Sequence, residues 1–344
     1  MNASHDADRA NALRWIPGAR GRYEVYYATM NHLKSGAGFW IRYTLNAPCE
    51  GMGAPYAQVW FSFFNYREPE RNFAIIKRYP IDDLRANIDP FHLRIGDCEL
   101  GSNRIVGGLT GQGRDAFWDL NFIPAATVHR LLPGLFYLGG LADTKVLSPN
   151  LHVHFHGQIR VDGVKYDFKG DPGCQTHLWG KKHARSWAWA HCGAFAEDPS
   201  AVFEGISCRV KRLGAVTPPL SFISIFHRGK AHRLTELYDP LRVRSRYSPG
   251  LWSFFAIAGN LLFRGEMSCR PQDMTRADYS DPDGEKAFCH NSEVGSSAIR
   301  IYKRKNRLSS WRLTDTITSI ATTHVEFGSR EPDPMVKNVF DEIR

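Results

Sequence analysis

Gly38-Phe-Trp-Ile-Arg-Tyr-Thr-Leu-Asn46 and Ala57-Gln-Val-Trp-Phe-Ser-Phe-Phe-Asn65 are two aromatic and β-branched runs separated by a connector carrying Pro48, Gly51, Gly53 and Pro55. Such side chains fit a pleated, packed surface, and Gly/Pro clusters turn the chain, so the pair reads as antiparallel strands. Working outward, Gly21–Met30 precedes them and Asn72–Arg78 follows in the same style. Phe91–Leu93, Cys98–Gly101, Arg104–Leu109, Arg114–Asn121 and Val153–Val161 continue the meander. Asp162-Gly163 turns the last of these back into Val164–Phe168 as a hairpin. Phe122–Asn150, punctuated by Pro124, Pro133, Gly134, Gly139, Gly140 and Pro149, reads as a loop packed on the strands, or as a lid.

The second half repeats the style in Ser186–Phe195, Ala201–Val210, Leu220–His227, Lys230–Glu236, Trp252–Ala258, Leu261–Cys269, Ala287–Ser292, Ala298–Lys303 and Thr322–Phe327. A chain of 344 residues is long for one core, and aromatic residues reach 12%. The expectation is an all-β protein of two consecutive antiparallel β-barrels: a lead-in over 1–20, one domain over 21–185 and another over 186–335. No repeat at a fixed period relates the halves, so their likeness is architectural.

The formal net charge of +9 is scattered, with its densest stretches at Lys303–Arg307, Lys181–Arg185 and Arg242–Arg246. None is the long basic run of a nucleic-acid arm, so no nucleic-acid partner is expected. Seven cysteines lie far apart without a CxxC pair, which argues against a disulfide scaffold or zinc ribbon. The first residues lack a secretory pattern, and no apolar stretch approaches the roughly 18 residues of a spanning helix. A cytoplasmic protein with at most peripheral membrane contact is expected. Dinucleotide, Walker, nucleophile-elbow and HExxH signatures are absent.

His177-Leu-Trp-Gly-Lys-Lys-His-Ala-Arg-Ser-Trp-Ala-Trp-Ala-His-Cys192 concentrates Trp179, Trp187 and Trp189 with His177, His183 and His191. On a strand, Trp187, Trp189 and His191 share one face. Indole faces stabilise cations and an imidazole moves protons, which suits acid-catalysed chemistry on an unsaturated hydrocarbon. Equally, the stripe reads as barrel core with a satisfied buried histidine. Glu204, Glu266, Glu293 and Glu326 each lie in or beside an apolar strand. Inside a barrel a carboxyl loses solvation and becomes a general acid; paired with an arginine such as Arg209, Arg264 or Arg330 it is structural. His290 and Glu293, three apart, meet only through a bulge or turn. His152, His154 and His156 alternate on one strand face, a spacing that lets imidazoles share a metal. Asp281-Pro-Asp-Gly284 reads as a hairpin turn.

Trp179-Gly-Lys with Ser186-Trp-Ala-Trp-Ala-His-Cys192 resembles the Trp-rich domain junction of tocopherol cyclases, and Ala321-Thr-Thr-His-Val-Glu-Phe-Gly328 resembles their terminal strand. Phe39-Trp-Ile-Arg-Tyr-Thr44 and Gln58-Val-Trp-Phe-Ser-Phe-Phe64 resemble the opening strands. The superfamily includes carotenoid 1,2-hydratases, AttH-like proteins and hydroxyneurosporene-synthase-type Diels-Alderases. The resemblance, from about Tyr23 to Arg330, implies two lipocalin-like barrels with a ligand cavity near their interface, no obligatory cofactor, and acid-assisted cyclisation or hydration of a prenyl or polyene substrate. His191-Cys192 after the Trp pair and the His-rich strand depart from the cyclase pattern.

Three readings follow. In the first, a cyclase, hydratase or isomerase takes a hydrophobic isoprenoid, polyene or polyketide-like substrate. Glu266 or Glu326 is the acid, His191 or His177 the relay, and Trp179, Trp187, Trp189, Glu204, His290 and Glu293 surround the substrate. In the second, the cavity only carries a lipid. In the third, His152, His154 and His156 hold a catalytic metal.

Overall fold

The computed structural model describes residues 3–212, 214–337 and 340–343; Met1 and Asn2 of the expected lead-in lie outside them. Most strands pair antiparallel in two large sheets. Among the described residues the first has thirteen strands, its central order running from Phe73–Pro80 through Tyr56–Asn65, Ala37–Ala47 and Arg22–His32 to Val164–Gly180 and Thr144–Val161. It continues through Arg114–Asn121 and Arg104–Gly111 to Leu84–Ile88. Phe340–Ile343 returns to add a parallel strand beside Phe73–Pro80. Among the described residues the second sheet has ten strands between Ser186 and Ser329, with Ser186–Cys192 between Val202–Arg209 and Arg312–Ser329. In the first sheet the hydrogen-bonded order is an open path. Phe73–Pro80 and Leu84–Ile88 lie toward its opposite ends, yet only the turn Ile81–Asp83 separates them in sequence. The sheet is therefore curled like a barrel and joined by chain across its seam.

Alternation along the central strands creates three cores. From Arg22–His32, Tyr26, Ala28 and Met30 enter the interior of the first sheet. From Ser186–Cys192, Ala188, Ala190 and Cys192 enter the interior of the second. The opposite faces, carrying Tyr23, Val25, Tyr27, Trp187 and Trp189, meet in a third core between the sheets. Double-sided burial explains why the opening strands read as near-continuous apolar runs.

Several elements differ from the sequence reading. The lead-in contains a helix, Ala3–Asn11, and the strand expected to end at Phe168 continues to Gly180. Lys286–Lys303 is one strand rather than two, and its partner begins at Arg312 rather than Thr322. Bulges conceal this continuity, because a register shift breaks the period of two on which strand recognition depends. Leu84–Ile88, Val243–Ser248 and Thr275–Ser280 are strands that the sequence reading left out. Their exposed Arg85, Arg244 and Asp278 give them the composition of loops.

Candidate functional site between the sheets

A cavity of about 820 Å³ opens in the third core. The first sheet contributes Tyr23, Tyr27, Arg42 and Leu178; the second contributes Trp187, Trp189, Phe222, Tyr279 and Glu326. Leu132, Phe136 and Leu141 of the 122–150 segment line it as well. Trp189 meets Tyr27 edge-on at 5.9 Å between ring centres. Gly328 lets Trp187 lie flat on its strand, because any Cβ there would fall inside the indole. Arg42 is buried with its guanidinium 4.2 Å from the Tyr279 ring centre and 5.2 Å from that of Trp60. Burial pushes the Glu326 carboxyl above the usual carboxylate range, against the counter-pull of Arg42 and Trp187. Asp143 and Glu285 also border the cavity but are half-exposed and paired with Arg212 and Lys182.

His183 lines the same cavity, stacked on Tyr23 at 4.7 Å and Tyr279 at 5.1 Å. Its Nδ1 is 2.6 Å from Asp281 Oδ1, and the Arg330 guanidinium donates to Asp281 Oδ2 at 2.7 Å. Burial lowers the His183 pKa although Asp281 opposes it. Burial would raise Asp281, but the bonds from His183 and Arg330 outweigh it and hold it low. The imidazole is therefore a neutral base fixed through one nitrogen.

Of the residues singled out in the sequence, Trp187, Trp189 and Glu326 line the cavity. Glu204 sits behind Trp189, accepting from its Nε1 at 3.4 Å and from Ser148 Oγ at 2.7 Å. Burial pushes Glu204 up to about 7 and its neighbour His129, at 3.4 Å, down to about 4. His191 follows Trp189 on the same strand face, but outside the cavity lining. Glu293 is buried, with Oε2 lacking a hydrogen-bond partner.

Other expectations need correction. Glu266 is exposed, because alternation along Leu261–Ser268 turns it outward while Phe263, Gly265 and Met267 point in. His177 is buried, with Nδ1 on Ala10 O at 2.7 Å and Nε2 on Glu24 Oε1 at 2.8 Å; it anchors the N-terminal helix and has no nitrogen left for a relay. Trp179 lies on the face opposite Leu178, against His177 and under Arg14. His290 has both nitrogens engaged, by Phe327 O and the Asp333 amide. His154 and His156 are exposed on the outer face, and His152 is half-buried, edge-on to His154 and against Gly193, with no hydrogen-bond partner for its Nδ1. The described residues with metal-ligand spacing are instead Cys174, His191 and His324. Arg42, Tyr27, Tyr279 and His183 were missed as site residues; the signal available for His183 was its place in the Trp/His-rich segment.

Two curled antiparallel sheets enclosing an aromatic cavity between them define a lipocalin-like architecture. Residues 147–329, more than half of the chain, match the family described as tocopherol cyclase-like, and the chain belongs to that family. An uncharacterised protein of Mycobacterium tuberculosis is 27% identical over 340 residues, covering 95% of this chain and 92% of the relative. A crystal structure of an AttH from Nitrosomonas europaea superposes with a TM-score of 0.55 at 11% identity, over 92% of this chain and 99% of the other. Kievitone hydratase from Nectria haematococca superposes with a TM-score of 0.52, also at 11% identity, over 92% and 94%. At that identity the two structures establish a shared fold. The family is the one the Trp-rich segment and Ala321–Gly328 resemble.

Proposed function

We propose that this chain is an acid-assisted cyclase, hydratase or isomerase acting on a hydrophobic polyene, isoprenoid or polyketide-like substrate held between the sheets. The observation that carries the reading is Glu326: a carboxyl opening onto a cavity of about 820 Å³ whose walls are otherwise largely indole, phenol and aliphatic. That volume suits a drug-sized molecule, for which pockets span roughly 300–1,000 Å³. The family match and the hydratase among the structural neighbours support this class of reaction.

In the proposed step, Glu326 gives its proton to a carbon–carbon double bond and the positive charge develops on the neighbouring carbon. Trp187, Trp189 and Tyr27 present π faces to that charge. An internal hydroxyl, or a water, adds to the cation; its proton passes to His183 Nε2, the nitrogen not bound to Asp281, and returns through solvent to Glu326. The aromatic wall keeps competing water out. Asp281 acts on His183 as a positioning residue.

The test is organic extraction of the purified protein with mass spectrometry of the co-purified molecule, then assay of that chemical class with the Glu326→Gln variant. A general acid contributes about 10²–10⁴-fold, so kcat falls at least about 100-fold while ligand affinity stays within a few-fold. A second reading, a non-catalytic carrier, draws on Arg42, which faces Glu326 as a structural counter-ion would. Heterogeneous lipid in the extract, with no turnover by the unmodified protein, favours that reading.

A further inference from the structure

We propose that Cys174, His191, His324 and Glu293 form a zinc site that clamps the two sheets together, one ladder step beyond the cavity. His191 and His324 are cross-strand neighbours, as are Trp189 and Glu326 in the cavity wall beside them. Cys174 comes from the first sheet, facing Thr29 on the adjacent strand. Ligand atoms of Cys174, His191 and His324 all lie within 4.8 Å of one another, and all three residues are buried.

The hydrogen bonds determine which nitrogens carry protons. His191 Nε2 lies 2.7 Å from Leu151 O, a group that can only accept, so Nε2 is the protonated nitrogen. Asn31 donates its amide to Glu293 O, which turns Asn31 Oδ1 toward His324 Nε2 at 2.9 Å and protonates that nitrogen too. Both Nδ1 atoms are therefore unprotonated, and they face each other at 3.2 Å. His324 Nδ1 accepts from the Thr29 hydroxyl at 2.7 Å, whereas His191 Nδ1 faces that nitrogen rather than a donor, and a cation between the rings would satisfy its lone pair. Tetrahedral zinc, bound at about 2.0–2.1 Å, sets two imidazole nitrogens roughly 3.3 Å apart. Each ring also donates its other N–H to a carbonyl, the arrangement that fixes metal-bound histidines.

The remaining ligands are supplied by both sheets. Glu293 Oε2 is buried without a hydrogen-bond partner, 3.8 Å from His324 Nδ1. A thiolate and a carboxylate balance the charge of Zn²⁺, leaving a neutral buried site, and thiolate with imidazole is a donor set that zinc favours. Binding releases the Cys174 thiol proton and the Glu293 carboxyl proton to solvent. The Thr29 hydroxyl, which lies 2.7 Å from His324 Nδ1 as its donor, turns to another acceptor. His154 and His156, exposed on the outer face, take no part in the site, and it holds the sheets rather than the substrate.

The test uses full-length, tag-free protein refolded with zinc, dialysed, and analysed by plasma mass spectrometry, with cobalt as the spectroscopic probe. The expected result is one zinc per chain, a higher Tm than the metal-free protein, and a thiolate-to-cobalt charge-transfer band. That band disappears in Cys174→Ser and survives in His154→Ala. Folding of each variant is checked by circular dichroism, and the unmodified protein's own zinc content and cobalt spectrum decide the matter should a variant not fold. Folded unmodified protein that takes up no zinc and shows no Tm shift overturns the proposal, as does a band indifferent to Cys174→Ser.

Discussion

The long hairpins at the centre of the two sheets, Thr144–Gly180 and Lys286–Ser329, share a mechanical plan and differ in chemistry. Each pairs strands of 17 or 18 residues, and each slips register midway, between Leu147 and His156 in the first and between Ser292 and Ser297 in the second. At the first slip buried amides pair with one another, Asn150 donating to Gln175 at 2.9 Å and Gln175 to Asn11 at 2.7 Å, while His152 keeps a buried Nδ1 without a partner. At the second the buried Glu293 is ionisable and keeps an unpartnered oxygen. Buried polar groups are ordinarily paired, so the amide chain of the first slip reads as a structural seam and the unpartnered carboxyl of the second as a place kept for chemistry.

The strongest way to break that contrast is to exchange carboxyls of the second sheet. Glu326→Gln is expected to lower kcat by about 100-fold or more, equivalent to about 2.7 kcal/mol, whereas Glu266→Gln on the outer face leaves it unchanged. Equal losses in steady-state assays of the two would refute the distinction.

The next effect concerns pH, through Glu204 and His129. Glu204, raised in the folded protein from 4.5 to about 7, contributes stability at low pH that is lost as pH climbs through that window. His129, depressed from 6.5 to about 4 by burial and by Arg233, contributes stability at neutral pH that is lost as pH falls. The two slopes oppose each other between 4.5 and 6.5. Glu204→Gln leaves the histidine slope alone, so denaturation curves should show stability falling by up to about 3 kcal/mol on acidification to pH 4. His129→Gln should reverse the direction, with stability falling as pH rises toward 7. Identical pH profiles in both variants would remove the pair from the account.

Gly328→Ala should cost about 1–3 kcal/mol by overpacking against Trp187, read as a lowered Tm. The smallest effect belongs to Leu141, exposed at the cavity rim: Leu141→Ser should shift KM a few-fold while stability stays within about 0.5 kcal/mol. A large Tm loss there would mean that the segment is core rather than rim.

Much of the strand pattern was legible because Phe39, Ile41 and Tyr43 alternate in period with Trp40 and Arg42, and turns carry Gly or Pro. The Trp-rich segment also pointed to the cavity wall through Trp187 and Trp189. Glu326 and Glu266 were indistinguishable as sequence, since each sits in an apolar strand and only the face decides burial. His183 outranks His177 at the cavity because the chain crosses between sheets at 181–185 and Asp281 captures its ring.

Alternation of side chains, a local property of the extended backbone, is written in the sequence; it determined an all-β chain with aromatic stripes. Which stripe faces a partner sheet, which carboxyl meets a cavity and which histidine meets a cysteine 150 residues away depend on how two curled sheets dock. Those are contacts between residues far apart in the chain, and no spacing along it encodes them.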